Sequence, residues 1–255
     1  MNGSGDEQPA SIPVLTQLRL AAGFLTIIPV LGARPSTPAD VAASFRWFPL
    51  VGFVLGAILA GEDWIMHPLV GRALSAAIVV MTLAAITGAL HLDGLADTAD
   101  AIGAGHDRER ALAIMRDSRI GSFGAIALFF VLGLKLLALT SACGGRMLAL
   151  YLAPGLGRWA MVAIAERLDY LRAEGAGAAL LGAPGARGLT AASVIVVVAM
   201  LPVLGHRALR AVVTAVVVSI LLRICYRRWL GGVTGDMLGA AGELVETAVL
   251  IAVTR

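Results

Sequence analysis

The sequence predicts an all-α fold: a polytopic integral membrane helical bundle of about seven transmembrane helices, with an additional N-terminal interfacial or re-entrant helix. Three observations predict it. The mean hydropathy is +0.86, and only 15% of the 255 residues are charged, compared with about 25% in an ordinary soluble domain. The apolar segments are continuous rather than alternating, which disfavours a transmembrane β-barrel. Small residues are abundant and suit close helix packing in lipid, so we expect a single membrane domain over residues 1–255.

Each predicted span is an apolar segment near the roughly 20 residues that a helix needs to cross a bilayer. Pro154 interrupts the fourth span and Pro202 the fifth. The N-terminal segment LRLAAGFLTIIPVLG has too few apolar positions after Arg19 for a full span, which favours a surface or re-entrant helix. The predicted spans are 47–61, 73–91, 122–142, 146–166, 189–205, 208–222 and 238–254.

Arginine is distributed unevenly between the two faces that these spans define. The loops 91–121, 167–188 and 223–237 share one face, which carries thirteen arginines with the N-terminal segment, whereas the other face carries five. The positive-inside rule places the richer face in the cytoplasm. The net charge of +3 therefore reports membrane topology, and we expect membrane lipid rather than nucleic acid as a partner.

Six of the 17 acidic residues fall within HLDGLADTADAIGAGHDRERALAIMRDSRIG, residues 91–121. Asp93, Asp97 and Asp100 have the spacing i, i+4, i+7, so they project from one face of a helix that continues out of the second span. Their repulsion is unfavourable unless a cation lies among them, and hard oxygen ligands suit Mg²⁺ or Mn²⁺. A solvated interfacial helix also explains the charge but leaves the one-sided spacing unexplained.

The segment RDSRIGSFG, at the start of the third span, suggests a phosphate cradle. Asp117 lies between Arg116 and Arg119, and two glycines follow at the helix N-terminus. Arginines beside glycine-rich backbone at such a position suit phosphate binding. Interfacial anchoring explains Arg116 equally well.

A second acidic segment, GGVTGDMLGAAGELVET, occupies residues 231–247 on the same predicted face. Thr234 and Asp236 precede a span in which Glu243 and Glu246 lie on one helix face. Ionisable groups within a span are costly and usually face a cavity or a partner. These acids suggest a second metal position, or ligands that join the first. Two metals on a diphosphate would stabilise both the attacking and the leaving oxygen.

Two cationic side chains lie well inside predicted spans, away from their ends: Lys135 in the third and Arg158 in the fourth. Both should face the bundle interior. Two interpretations remain open: phosphate binding, or an intramembrane ion pair such as Lys135 with Glu166 or Glu246. For His91 we expect a hydrogen bond or a metal contact rather than a role as catalytic base.

The segments HLDGLADTAD, RALAIMRDSRIGSFG and GGVTGDMLGAAGELVE resemble the cobalamin synthase family, the adenosylcobinamide-GDP ribazoletransferases. The likeness extends to FPLVGFVLG at residues 48–56, to Lys135 and Arg158, and to RAEG at 172–175. It implies a multi-pass enzyme of the bacterial inner membrane that requires Mg²⁺ and has its active site on the cytoplasmic face. Such an enzyme joins adenosylcobinamide-GDP to α-ribazole, or to α-ribazole 5′-phosphate, and releases GMP.

The resemblance also implies residue roles. The catalytic metal ligands, one of which accepts the hydroxyl proton, are Asp93, Asp97 and Asp100. Four further acids are supporting metal ligands or contact the ligands from behind: Asp117, Asp236, Glu243 and Glu246. Substrate-binding residues are Arg116, Arg119, Lys135, Arg158 and Thr234. The chain departs from the family pattern at Ile27, where an arginine is usual, and at Gly157, where serine is usual.

Three other functions fit the sequence less well: a transporter, a non-catalytic scaffold and a CDP-alcohol phosphotransferase. A cation- or proton-coupled transporter would also place ionisable groups in spans, but it should carry them near the midplane of a repeat. A non-catalytic scaffold leaves the clustered carboxylates unexplained. The CDP-alcohol phosphotransferases share the spaced aspartates but not their order.

We expect the 167–188 loop to cover the corrinoid, and a homo-oligomer is compatible with the sequence.

Overall fold

The computed structural model describes residues 13–29, 37–166, 168–172 and 188–255. In these ranges the chain forms helices and one pair of very short strands. The α-helices are α1 (Val14–Leu25), α2 (Pro38–Ser44), α3 (Phe48–Val70), α4 (Arg72–Ile86), α5 (Leu90–Ala101), α6 (Arg108–Ile114), α7 (Ser122–Thr140), α8 (Arg146–Ala165), α9 (Leu189–Met200), α10 (His206–Trp229) and α11 (Gly235–Thr254). Single 3₁₀ turns cover Phe45–Trp47, Ile102–Ala104 and Leu201–Val203.

Five helices in the described part of the chain are long and apolar enough to cross a membrane: α3, α7, α8, α10 and α11. A sixth span is counted only if α4 and α5, which meet at 88°, are taken together. The all-α membrane bundle is therefore confirmed, but the count of seven spans is not. The N-terminal segment forms α1, a short apolar helix of 12 residues.

Two predicted spans, the second and the fifth, are longer than the observed helices for local reasons, whereas the first and the sixth are shorter than the helices at Phe48–Val70 and His206–Trp229. The second does not continue into the acidic stretch, because Gly88 (φ 58°) and Ala89 (φ 56°) adopt left-handed backbone and turn the chain. The fifth is shorter than predicted, since α9 ends at Met200 before a 3₁₀ turn that contains Pro202. Proline lacks the amide that would continue the helix.

The core is built on α8 and α11, whose residues are mostly buried. Helix α3 approaches α8 through Gly52 and Gly56, where a Cβ would collide with the backbone of Pro154 and Tyr151. This spacing is the GxxxG pattern that lets membrane helices pack closely. Helix α8 approaches α11 in the same way, because a Cβ on Gly157 would lie 2.8 Å from the Gly242 carbonyl oxygen.

The bundle has two distinct ends. At one end, strands β1 (Asp169–Tyr170) and β2 (Gly232–Val233) pair in parallel, and the Ile27 amide donates to the Ile86 carbonyl (2.9 Å). We call this the carboxylate end. Three segments meet there: the acidic stretch, residues 168–172 and the start of α11. The sequence analysis predicted that these segments lie on the same face of the membrane. Arg34, Arg167 and Arg187, which counted toward that face, lie outside the described residues.

The opposite end is closed by contacts between helix termini. Arg146 donates to both carboxylate oxygens of Asp63 (2.5 and 2.8 Å), and Ser75 donates to Asp63 (2.5 Å). Arg72 donates to the Ala142 carbonyl (3.0 Å). The three charged side chains thus tie α3 to the N-termini of α4 and α8 and to the loop after α7.

Candidate active site at the carboxylate end

Helix α5 presents its aspartates on one face, as their spacing predicted. Its buried face carries Leu95, which packs with Val131 of α7 and Ala240 of α11. Asp93 is exposed, whereas Asp97 and Asp100 are half-buried. The N-terminal end of α5 lies close to α11, because a Cβ on Gly94 would be 2.8 Å from the Asp236 carbonyl oxygen.

This close approach assembles a carboxylate cluster, which we define as Asp93, Asp97, Asp100 and Asp236. The charges of Asp93, Asp236 and Asp100 all act on Asp97, and Arg172 is the cation that acts on it. Within the described residues, neither Asp93 nor Asp97 forms a hydrogen bond or an ion pair. The two therefore remain available as oxygen ligands.

Asp100 is held differently from the other two aspartates of α5. The amide of Gly121 donates to its Oδ2 (2.7 Å) and the amide of Gly124 donates to its Oδ1 (2.8 Å). The N-terminus of α7 was predicted to bind phosphate, and here it binds the protein's own carboxylate. Asp100 thereby fixes α5 to the start of α7.

The predicted residues between α6 and α7 pair with each other. Arg119 forms a two-pronged ion pair with Asp117, with contacts of 2.6 to 3.1 Å. The hydrogen bonds from Arg119 lower the pKa of the Asp117 carboxyl to about 2. Arg119 and Arg116 are exposed, so both guanidinium groups can reach an anion that approaches from the surface.

Arg172 joins the site in a way that the sequence analysis did not predict. It donates to Asp236 Oδ2 (2.5 Å) and to the Met115 carbonyl (3.1 Å). The pairing of β1 with β2 positions it, since the amide of Leu171 donates to the Val233 carbonyl (2.9 Å). Its sole signal in the sequence was the RAEG motif, of which 173–175 lie outside the described residues.

Thr234 lies at the carboxylate end, but its side chain is buried. Its hydroxyl caps α11 by accepting the Met237 amide (3.2 Å), and it contacts the Met115 sulfur at 3.6 Å. The predicted substrate contact is therefore not available to this hydroxyl in the described arrangement. Thr234 instead sets the start of α11, and with it the position of Asp236.

The predicted charges within the spans form a second group, which we call the buried charge network: Lys135, Arg158, Glu243 and Glu246. Lys135 Nζ donates to Glu243 Oε2 and Glu246 Oε1, both at 2.6 Å. Arg158 donates to Glu246 Oε2. Every member is buried. Phosphate binding and an intramembrane ion pair were both left open for Lys135. The structure shows the ion pair, and its partners are Glu243 and Glu246 rather than Glu166.

The network is separate from the carboxylate cluster. Asp236 and Glu243 are seven residues apart on α11, which corresponds to about 10 Å along a helix axis. His91 is buried at the start of α5, and neither of its ring nitrogens has a hydrogen-bond partner among the described residues. The structure thus divides the predicted site residues between a surface cluster and an internal one.

The two departures from the family pattern lie at close approaches between elements. Ile27 lies against the bend between α4 and α5, where a Cβ on Gly88 would collide with it. Gly157 lies against the backbone of α11, so a serine at this position would require the two helices to move apart.

Oxygen ligands are present at the carboxylate end, but they are not arranged as a formed metal site. Within the described ranges, no group of three His, Cys, Asp or Glu side chains is placed so that it could hold a metal ion. Asp100 and Asp236 are engaged by amides and by Arg172, as described above. The chemistry of the donor set fits a hard divalent cation, and Asp236 could bind it through Oδ1, because the Arg172 contact is with Oδ2.

Comparison with known proteins identifies a family. The family model described as cobalamin-5-phosphate synthase matches residues 17–254. Proteins named adenosylcobinamide-GDP ribazoletransferase match most of the chain. The one from Syntrophobacter fumaroxidans is 42% identical over 91% of this chain and 95% of its own. Those from Desulforamulus reducens and Ectopseudomonas mendocina are 40% and 41% identical, over 93% and 92% of this chain and 95% and 96% of theirs. No solved structure matches the chain.

Proposed function

Because the chain belongs to the cobalamin-5-phosphate synthase family, we propose that it transfers the corrinoid phosphate of adenosylcobinamide-GDP to a ribazole, with GMP released. The acceptor is α-ribazole or its 5′-phosphate. The observation that supports an active site at the carboxylate end is the carboxylate cluster, which α5 and the start of α11 assemble beside Arg172.

The proposed reaction exchanges one P–O bond for another. A hydroxyl oxygen of the ribazole sugar attacks the phosphorus that carries the corrinoid. The bond from that phosphorus to the bridging oxygen breaks, and GMP leaves with the bond's electrons. Asp97 is our candidate for accepting the hydroxyl proton. It is half-buried, and the negative charges of the neighbouring carboxylates favour its protonated form.

The remaining residues position and neutralise the diphosphate. Catalysis of phosphoryl transfer depends chiefly on positioning and on charge stabilisation. Arg172 lies at the cluster, and the exposed Arg116 and Arg119 flank it on the preceding loop. The buried charge network lies deeper in the bundle, and we propose that it supports the position of α5 and α11.

We propose Mg²⁺ as the cofactor, with Asp93, Asp97 and Asp236 as its protein ligands. The cation would supply charge neutralisation on the diphosphate oxygens. Asp93 and Asp97, which have no partner among the described residues, support this assignment, as does the crowding of negative charge around Asp97. The carboxylate end would face the cytoplasm of the bacterium, because it carries most of the arginines.

The test is turnover by the full chain in proteoliposomes. The substrates are adenosylcobinamide-GDP and α-ribazole 5′-phosphate, with Mg²⁺ or with EDTA, and the measurement is GMP release together with the joined corrinoid. We expect product with Mg²⁺ and none with EDTA. No product from folded protein in Mg²⁺ would refute the transferase and direct attention to ion-flux assays on the same vesicles.

A matched pair of variants tests the site itself. Asp97→Asn should lower turnover about a hundredfold or more, in the range expected for loss of a general base or ligand. Asp107→Asn is the control, because Asp107 caps α6 by accepting the Arg110 amide (3.0 Å), and asparagine caps equally well. Equal activity of the two variants at limiting Mg²⁺ would remove Asp97 from the reaction.

A further inference from the structure

A lateral groove opens between α7 and α10 near the carboxylate end, on the face of α5 that points away from the aspartates. Its volume is about 780 Å³. It is lined by residues of α5, α10 and α11 and by Ala127 of α7. The apolar residues that line it include Leu95, Ala99, Ala127, Leu221, Ala240 and Leu244.

The helices that flank the lateral groove belong to apolar spans, so its mouth would face bilayer hydrocarbon. The flanking helices expose large apolar side chains there, including Phe130 of α7 (59% exposed) and Leu221 of α10 (60% exposed). Residues of this kind on membrane-spanning helices contact lipid tails. An occupant that enters from this side is therefore apolar over most of its length.

The end of the groove nearest the bundle surface is polar and basic. Arg228 and His106 line it, and within the described chain Arg228 forms no ion pair. Trp229 lies beside them and donates its indole N–H to the Gly105 carbonyl (2.5 Å). Tryptophan is enriched at membrane interfaces, and arginine near the interface attracts anionic headgroups.

Thr98 supplies a second, independent indication of a ligand. Its side chain lines the groove from α5 and is only 7% exposed. Its hydroxyl has no hydrogen-bond partner among the described residues, although a threonine within a helix commonly donates to the carbonyl four residues earlier. A buried hydroxyl without a partner is unfavourable, so a polar atom of an occupant would satisfy it.

We propose that the lateral groove is a binding site for one anionic phospholipid of the surrounding bilayer. One acyl chain lies along the apolar lining, the headgroup phosphate lies beside Arg228, and a glycerol ester oxygen accepts from Thr98. The groove volume falls within the roughly 300–1,000 Å³ of small-molecule sites. The lipid would support α5 from behind the carboxylate cluster.

The first experiment fills the groove. Protein is reconstituted in equal amounts of phosphatidylglycerol and phosphatidylcholine, extracted in mild detergent and examined by native mass spectrometry. Wild-type protein should retain one phosphatidylglycerol. Ala127→Phe should lose it, because Ala127 lines the groove, whereas Ala125→Phe should retain it, because Ala125 is exposed on the same helix outside the groove. Retention by folded Ala127→Phe would overturn the proposal.

The second experiment removes the headgroup contact and needs no change in packing. Arg228→Gln should weaken the preference for phosphatidylglycerol over phosphatidylcholine about fivefold, as expected for one interfacial cation. Arg227→Gln is the control, since Arg227 is the preceding exposed residue and does not line the groove. An equal effect of both variants would overturn the site. A dimer of the wild-type protein that Ala127→Phe dissociates would also overturn it, because the groove would then bind a second copy of the chain.

Discussion

At the scale of single residues, the buried charge network is a balanced group of two cations and two carboxylates. Lys135 contacts both Glu243 and Glu246, and Arg158 contacts Glu246 alone. Removing one member leaves an uncompensated buried charge, which costs far more than removing a matched pair. The energetic role of each residue therefore depends on which partner is present.

Lys135→Met should lower the free energy of unfolding by about 3–5 kcal/mol, because it strands the Glu243 carboxylate in an apolar interior. Lys135→Met combined with Glu243→Gln removes one charge of each sign and leaves the Arg158–Glu246 pair intact. The double variant should recover most of that loss. Unfolding in mixed detergent measures both. A single variant as stable as the wild type would show that the network does not stabilise the fold.

The residue types of this network could be predicted from the sequence, and the pair of Lys135 with Glu246 was one of two pairings it offered, but no sequence pattern selects that pair or predicts the others. A charge within a span must face the interior, and this argument correctly selects Lys135, Arg158 and Glu246. Their partners come from three helices that are far apart in the chain, and no local pattern encodes such distances. The same reason hid Arg172, whose contact with Asp236 depends on the pairing of β1 with β2.

At the scale of elements, the contact between α5 and α11 decides whether the aspartates meet Asp236. Gly94→Ala would place a Cβ 2.8 Å from the Asp236 carbonyl oxygen and 2.9 Å from its Cα. Overpacking of this kind costs about 1–3 kcal/mol and pushes the two helices apart. We expect both a lower Tm and a lower turnover, with the larger effect at limiting Mg²⁺.

Gly133→Ala is the matched control, because a Cβ at this position on α7 has no neighbour within 4 Å. Alanine within a helix is more favourable than glycine by up to about 1 kcal/mol, so this variant should be as stable as the wild type or more so. Indistinguishable results for the two variants would mean that the α5–α11 contact does not set the geometry of the cluster.

The long helices were predictable because continuous apolar segments of sufficient length have few alternatives in a membrane. Helices α7 and α8 begin at Ser122 and Arg146, as predicted. The bend before α5 was missed because the apolar pattern continues through TGALHL, and a single glycine does not indicate a left-handed turn. The prediction that the three aspartates share one helix face remained correct, because all three lie within α5.

At the scale of the whole molecule, the two cysteines report its orientation. Both are free and exposed, and Cys143 lies in the loop between α7 and α8 at the opposite end. In a Cys225→Ser background, a membrane-impermeant maleimide should label Cys143 in intact cells. With both cysteines replaced by serine, Ser118→Cys should react only after the membrane is opened, because Ser118 is exposed at the carboxylate end. The reverse pattern would place the carboxylate end outside the cell.

The contacts that close the opposite end make it a pivot. Arg146, Asp63, Ser75 and Arg72 join four helices there, mostly through buried contacts, whereas the contacts of Arg172 with Asp236 and of Asp100 with Gly121 at the carboxylate end are partly or fully exposed. A helix of 20 residues is about 30 Å long, so a tilt of about 5° about the pivot moves its other end by about 2.6 Å. Leverage of this kind would admit a bulky corrinoid at the carboxylate end while the contacts of the opposite end stay in place.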